Sequence, residues 1–370
     1  MTGTAGAGGG SRLTERALNR ATLARQHLLA PSGLTALDMI EHLVGMQAQA
    51  PYPPYVGLWT RLRTFRHEDL ARLLEDRSVT RILLQRGTVH LVSAADCLAL
   101  RPVVQRVIDR MYVTAKATAA AGDPEVIARH AEELLATQGP LTPKELGDAL
   151  AERLPGGPPR VLADVARARL ALVQLPPRAV WGVGGVTRYD TAESWLGAPL
   201  RAADMPTVIR RYLAAFGPAT VADVQTWCGL TRLREVTDGM TGLRRLRGAN
   251  GAELLDVPDA PLPDPDTPAP PRFLPDFDNV VLSHADRTRI VPEQHRKRLV
   301  TRNGIVPATI LVDGMVAGTW RADDGLLTIT PFAPLPPTTE TQLHDTGLRL
   351  ARFLTPPNTD VKVRFDNPTD

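Results

Sequence analysis

Two carboxamides, Gln47 and Gln49, flank a single alanine in the stretch GMQAQAPYPPY. An amide neither gains nor loses a proton near neutral pH, so the pair cannot serve as general acid or base. It can orient a water molecule. The helical pattern that begins at Thr35 must end before Pro51, because a residue ahead of proline avoids the α conformation. Two positions apart on a regular helix, the side chains point in different directions, and opening of the last turn would let them converge. The other role open to them is ordinary: capping free helix carbonyls, or standing on a polar surface.

Other chemistry is limited by composition. The two cysteines, Cys97 and Cys228, lie far apart with no CxxC and no histidine-rich companion, so they read as buried thiols rather than a disulfide or a zinc site. No carboxylate cluster of the kind that holds a metal for phosphate hydrolysis is present, which argues against a nuclease and against any cofactor. The chain has 370 residues, 43 basic against 40 acidic, and 43% of them are hydrophobic, enough for a sizeable core. No apolar stretch of 18 residues and no signal-peptide pattern occur, so the expected setting is the cytoplasm, away from membranes. Arginine clusters at Arg210/Arg211, Arg244/Arg245/Arg247 and His295 to Arg298 are either basic patches for a polyanion or solvated faces.

The elements that must position these groups repeat. QGPLTPKELGDAL from Gln138 and FGPATVADVQTWCGL from Phe216 share a Gly-Pro-x-Thr start 78 positions apart. Thr142 and Thr220 are the expected helix caps, with Leu146, Leu150, Val224 and Trp227 on the buried faces. Each copy continues into a further helical pattern, 231–243 in the later one, and then a Gly-centred hairpin, AVWGVGGVTRYD or LRRLRGANGAELLDVP. That order is winged-helix. A fainter version starts at Thr35, with a capping box to Asp38 and a wing in RILLQRGTVHLVSA, and a helix over about 94–121 leads onward.

The expected fold class is therefore α+β, with tandem winged-helix (helix-turn-helix) units. Their bounds are a disordered 1–12, units over 13–122, 123–200 and 201–257, a proline-rich linker 258–271, and a β-rich domain 272–370. In that last domain NVVLSHA, RLVTRNGIVPATILV and VAGTWRA read as strands, with turns at Asn303-Gly304 and Asp313-Gly314 and a late helix near 339–354.

Taken together, GMQAQAPYPPYVGLWTRL, RGTVHLVSAAD, PPRAVWGVGGVTRYDTAESWLG, FGPATVADVQTWCGL and FLPDFDNVVLSHADRTRI resemble the AlkZ-like family, which is related to the bacterial YcaQ DNA glycosylases. The resemblance runs in order over almost the whole chain. It implies tandem winged-helix units, a C-terminal β-barrel, and excision of alkylated bases by a glutamine-aliphatic-glutamine motif, which Gln47-Ala48-Gln49 fits residue by residue. YcaQ-type enzymes carry aspartate at the second polar position, so Gln49 places the chain on the AlkZ-like side.

Two amides suit that chemistry. N7-alkylguanine and N3-alkyladenine already carry positive charge, so the base departs without protonation and only a water needs aiming at the sugar. The implied reaction is monofunctional hydrolysis of the N-glycosidic bond of cationic alkylpurines in double-stranded DNA. Bulky adducts and interstrand crosslinks fall within its range, for base excision repair or self-resistance, and the enzyme acts as a monomer. Arg296, Lys297, Arg298 and Arg302 would hold phosphate while the Asn303-Gly304 tip enters a groove. His90 either faces DNA or packs in the core. Asp276, Asp278 and Asp286 either assist near the sugar or cap turns and pair with Arg287 and Arg289. The competing reading is a non-catalytic winged-helix DNA-binding protein or transcriptional regulator. Such regulators usually dimerise on palindromes, and three fused units with no coiled coil or sensor domain argue against one here.

Overall fold

A computed structural model of the chain describes residues 12–299 and 305–367. The expected disordered start and the tip residues Arg302, Asn303 and Gly304 lie outside them, save Arg12. Helix starts follow the capping chemistry. Thr35, Thr142 and Thr220 each accept from the third following backbone N–H, while Asp38, Glu145 and Asp223 reach back to the cap's own N–H. Each reciprocal pair satisfies two donors that a helix terminus otherwise leaves open. The Gly-Pro-x-Thr echo extends to pairing. The residue after each Gly-Pro, Leu141 or Ala219, bridges antiparallel to Tyr189 or Leu255 in the hairpin that follows.

Five short strands make one antiparallel sheet: β1 (Met46–Gln47), β2 (Val79–Leu83), β3 (Val89–Ser93), β4 (Leu172–Gln174) and β5 (Tyr189–Thr191). Their order is β1-β3-β2-β4-β5. The first expected hairpin shares this sheet with β4 and β5, joined where Arg81 and Ile82 of β2 meet Gln174 and Val173 of β4; of the expected hairpin AVWGVGGVTRYD only Tyr189 and Asp190 are strand, and their partner β4 precedes it. The third, β6 (Arg244–Arg247) with β7 (Glu253–Asp256), forms its own two-stranded sheet. One apolar cluster runs from Ala36 to Leu255, while Leu134, Leu146, Leu162 and Val165 belong to a separate cluster within 127–189.

Some expected elements are shorter. The helix over 94–121 is three helices, Ala94–Val103, Gln105–Tyr112 and Ala115–Ala121, the first ending just after Pro102, whose ring and missing N–H interrupt the ladder. Of 231–243 only Arg234–Asp238 is helical. NVVLSHA is not a strand: Asp278 caps a short helix, Asn279–Leu282, by accepting from the Val280 N–H.

The C-terminal strands are β8 (Arg272–Leu274), β9 (Thr309–Val312), β10 (Met315–Asp323), β11 (Leu326–Pro331) and β12 (Lys362–Phe365), ordered β12-β11-β10-β9-β8. Asp313 and Gly314, both at positive φ, turn β9 into β10, as the two-residue Asp-Gly signal requires. Helix Pro337–Leu354 then packs Leu343 and Leu350 with Phe273 and Ile329, and β12 comes back parallel to β11. Parallel return by a helical crossover leaves two edges. Among the described residues nothing pairs β8 with β12, so the sheet is open where the resemblance implies a closed barrel.

Buried ion pairs tie the ends of the chain to its middle. Helix α1 (Glu15–Arg25) buries Arg25 in a two-pronged contact with Asp256, at 2.6 and 3.0 Å. Arg61 closes the helix Pro53–Arg61 and grips Asp278 with two bonds of 2.8 Å. Removing one partner of such a pair strands a buried charge and costs about 3–5 kcal/mol. The second pair matters for the site, because it pins 276–279 beside the Gln47 strand. Among the described residues no helix is long and apolar enough to cross a membrane.

Candidate active site

The glutamines are not on a helix. The helix from Ala36 ends at His42, and Val44 and Gly45 turn back at φ 53 and 94. A side chain at position 45 would stand 2.6 Å from the Val92 side chain, so only glycine fits this turn. Extended chain follows. Gln47 pairs with His90, and the Ala48 N–H donates to the Val89 carbonyl at 2.7 Å. Gln47 ends β1 and Gln49 lies two residues on, in a bend, so neither side chain is set by a helix.

Each amide is fixed by a donor. The Gln47 Oε1 accepts from Arg86 Nη2 at 2.8 Å, and the Gln49 Oε1 accepts from the Val89 N–H at 2.8 Å. Only an oxygen can face those donors, which settles the amide orientations. Each carbonyl keeps a second lone pair with which to accept a hydrogen bond from water. Gln47 is buried and Gln49 exposed, placing the pair across the boundary between interior and solvent. The backbone between them is held as well. Arg81, itself buried, donates to the Ala48 carbonyl at 2.7 Å, and Asn279 donates to the Gly45 carbonyl at 2.7 Å while accepting from the Gln47 N–H at 3.3 Å.

His90 belongs to the interior, 2% exposed. Its Nδ1 lies 3.0 Å from the Thr88 carbonyl, an acceptor, so Nδ1 carries the proton. Burial, and then the Arg86 charge, push its pKa down to about 3. The sign follows directly: unfolded, the ring takes a proton near pH 6.5; folded, it stays neutral. Stability is therefore full above pH 6.5 and falls towards pH 3 by about 1.4 kcal/mol per pH unit for this one group. Urea midpoints at pH 7.5 and 5.0 should differ in that direction, and His90→Gln should shrink the difference. An undiminished difference in that variant would assign the acid sensitivity elsewhere.

The three carboxylates separate. Asp278 is committed to Arg61 and the helix cap, and Asp286 is exposed and closes a turn onto Thr288. Asp276, half-buried, lines the same cleft as Gln47, Pro53, Asn279 and Asp278; its Oδ1 accepts from the Ala308 N–H at 2.9 Å, and burial raises its pKa. The expected pairing with Arg287 and Arg289 does not form: Arg289 faces Asp223 and the Pro218 carbonyl, and Arg287 meets no carboxylate among the described residues. Arg296, Lys297 and Arg298 sit exposed on the short helix Arg296–Leu299, with Arg298 over the Phe332 ring. Arg81, Arg86 and Asn279 were not singled out from the sequence, although RGTVHLV drew attention to the loop that carries Arg86. Among the described residues no group of three metal-binding side chains occurs.

The family model described as DNA glycosylase AlkZ-like matches residues 40–353, and the chain belongs to that family. It is a DNA glycosylase, which sets aside the non-catalytic regulator. The chain is similar to the interstrand DNA cross-link repair glycosylase of Streptomyces sahachiroi, 25% identical over 333 residues that span 83% of this chain and 88% of the relative. The solved structure of the Streptomyces sahachiroi DNA glycosylase AlkZ shares the fold, with a TM-score of 0.77 over 96% of this chain and 100% of that one, at 22% identity.

Proposed function

We propose that the chain is a monofunctional glycosylase that hydrolyses the N-glycosidic bond of cationic alkylpurines in duplex DNA, N7-alkylguanine above all. The observation that carries this reading is the pair of Gln47 and Gln49 carbonyls, each anchored by one donor, Arg86 or the Val89 N–H, and each with a further lone pair. In the proposed step the C1′–N9 bond breaks and its electron pair neutralises the purine. Water, held by both amides, bonds to C1′ and loses its second proton to solvent. The substrate's own charge replaces a general acid.

The name of the Streptomyces sahachiroi relative extends the proposal to interstrand crosslinks, and bulky adducts, base excision repair and self-resistance against a genotoxin belong to the same proposed reading. A lesion attacked in place, without deep flipping, suits such bulk. Duplex binding by a monomer in the cytoplasm, through tandem winged-helix units within 13–122, 123–200 and 201–257, is part of the same reading. The repeated caps and the Leu141 and Ala219 bridges support those units. Hydrolysis by water is supported by the lysines: Lys116, Lys144, Lys297 and Lys362 are the chain's four, and none lines the cleft at Gln47.

The test is a duplex with one N7-methylguanine. Free base should appear with an abasic strand that breaks only on alkali treatment, equally well in chelator. A covalent enzyme-DNA adduct trapped by borohydride, or strand scission without alkali, would replace water with an amine nucleophile.

A further inference from the structure

Exposed apolar side chains standing singly need no explanation, whereas several in one place mark a contact surface. Among the described residues six large ones are exposed, and three of them, Tyr52, Val183 and Val186, gather about Trp181. The Tyr52 ring lies 4.9 Å from the Trp181 ring, and Val183 closes the turn that carries Trp181, its N–H donating to the Val180 carbonyl at 3.2 Å. Val186 follows in the glycine-rich GVGGV and is the most exposed of the six, at 67%. The loop does not hang free. The Trp181 N–H donates to the Tyr55 hydroxyl at 3.1 Å, and that hydroxyl donates to the Ala179 carbonyl at 2.9 Å, which fastens the loop to the helix Pro53–Arg61.

The patch adjoins the glutamines. Tyr52 follows Gln49 by three residues, so the two Cα atoms lie within about 11 Å, roughly three base-pair steps of a duplex. DNA whose sugar reaches Gln49 therefore brings neighbouring base pairs within range of Tyr52. A fourth exposed apolar residue, Met111, packs against Gly87, which lies between the two donors, Arg86 and the Val89 N–H, that anchor the amides. The groove beside the rings, about 510 Å³ and lined by Tyr52, Trp181, Asp323 and Asp324, repels a phosphate. Uncharged base faces suit it: aromatic rings stack on bases, and apolar side chains enter between base steps, unstacking and kinking the duplex.

We propose that Tyr52, Val183 and Val186 form an apolar wedge that enters the base stack beside the lesion and opens it, so that C1′ meets the glutamines while the damaged base stays within the helix. The wedge needs only a DNA glycosylase; its link to the released base rests on the alkylpurine reading given above.

The test uses the full chain and a duplex with one 2′-fluoro-N7-methylguanine, whose glycosidic bond resists hydrolysis, and 2-aminopurine as its neighbour on one side or the other. 2-Aminopurine brightens on leaving the stack. Saturating wild-type protein should raise the signal about threefold or more in at least one placement. Tyr52→Ser, and Val183→Ser combined with Val186→Ser, should each lose most of that rise. Affinity should weaken about three- to tenfold in each, the scale of one partly buried apolar side chain. The salt slope should not change, because no phosphate contact, each contributing about 0.9, is lost. Melting temperatures without DNA should hold in the valine variant, and where Tyr52→Ser loosens Trp181, Tyr52→Phe keeps the ring and should keep the rise. No rise with the wild type in either placement, or a rise that all the serine variants retain, would overturn the wedge. So would self-association of the wild type that these variants abolish, which gives the patch to a second copy of the chain. Gln47→Ala separates the two claims: it should keep the rise while release slows, and release at the wild-type rate ends the glutamine reading while the fluorescence still judges the wedge.

Discussion

Single-turnover release of N7-methylguanine should slow by about a hundredfold or more in both Gln47→Ala and Gln49→Ala, the scale on which losing one preorganised polar group or misplacing a reactant by an ångström acts. Duplex binding should stay within about twofold, because neither amide neutralises a phosphate. The two variants should differ in stability. Losing the Gln47 side chain leaves the Arg86 arm without its acceptor in a half-buried setting, a cost of about 1–3 kcal/mol, whereas the Val89 N–H freed by Gln49→Ala lies beside an exposed side chain that water can replace. Melting temperature should therefore fall more for Gln47→Ala. Release in the double variant should be little slower than in the slower single one, since two groups holding one water act as a unit. Multiplied effects would mean that the amides serve separate steps. Weak binding by both singles would move them from the reaction to DNA contact.

How much of this the sequence disclosed depends on the range of the interaction. The capping boxes at Thr35, Thr142 and Thr220 and the Asp313-Gly314 turn are local chemistry, written within four residues, and the fold uses each of them. The glutamine pair was also legible as residue types at a spacing. Its geometry was not. The apolar pattern from Thr35 runs on past His42, and the positive φ of Val44 and of Gly45, where a side chain would meet Val92, turns helix into strand. NVVL has strand composition but follows Asp278, whose cap on the Val280 N–H starts a helical turn. The groups that set the site are long-range. Arg86 reaches Gln47 across 39 positions and Asn279 reaches across 232, distances over which no periodicity carries a signal. His90 turned out to be a core residue because β1 pairs with β3, a fact of topology.

The central claim is that the substrate's positive charge stands in for a general acid, with Gln47 and Gln49 limited to aiming water. A neutral base must be protonated or otherwise stabilised as it leaves, a contribution typically worth about 10²–10⁴ in rate when a side chain supplies it. Asp278 is locked onto Arg61, Asp286 is tied to Thr288, and His90 is neutral with its Nδ1 proton on a carbonyl, so none of them supplies it here. The direct measurement is single-turnover release, in one duplex context with saturating enzyme, of N7-methylguanine, uracil and 8-oxoguanine. The account predicts N7-methylguanine to leave at least about 10²–10⁴ times faster than either neutral base. Equal rates would contradict it, and would hand the acid's role to Asp276, the half-buried carboxyl that shares the cleft with Gln47.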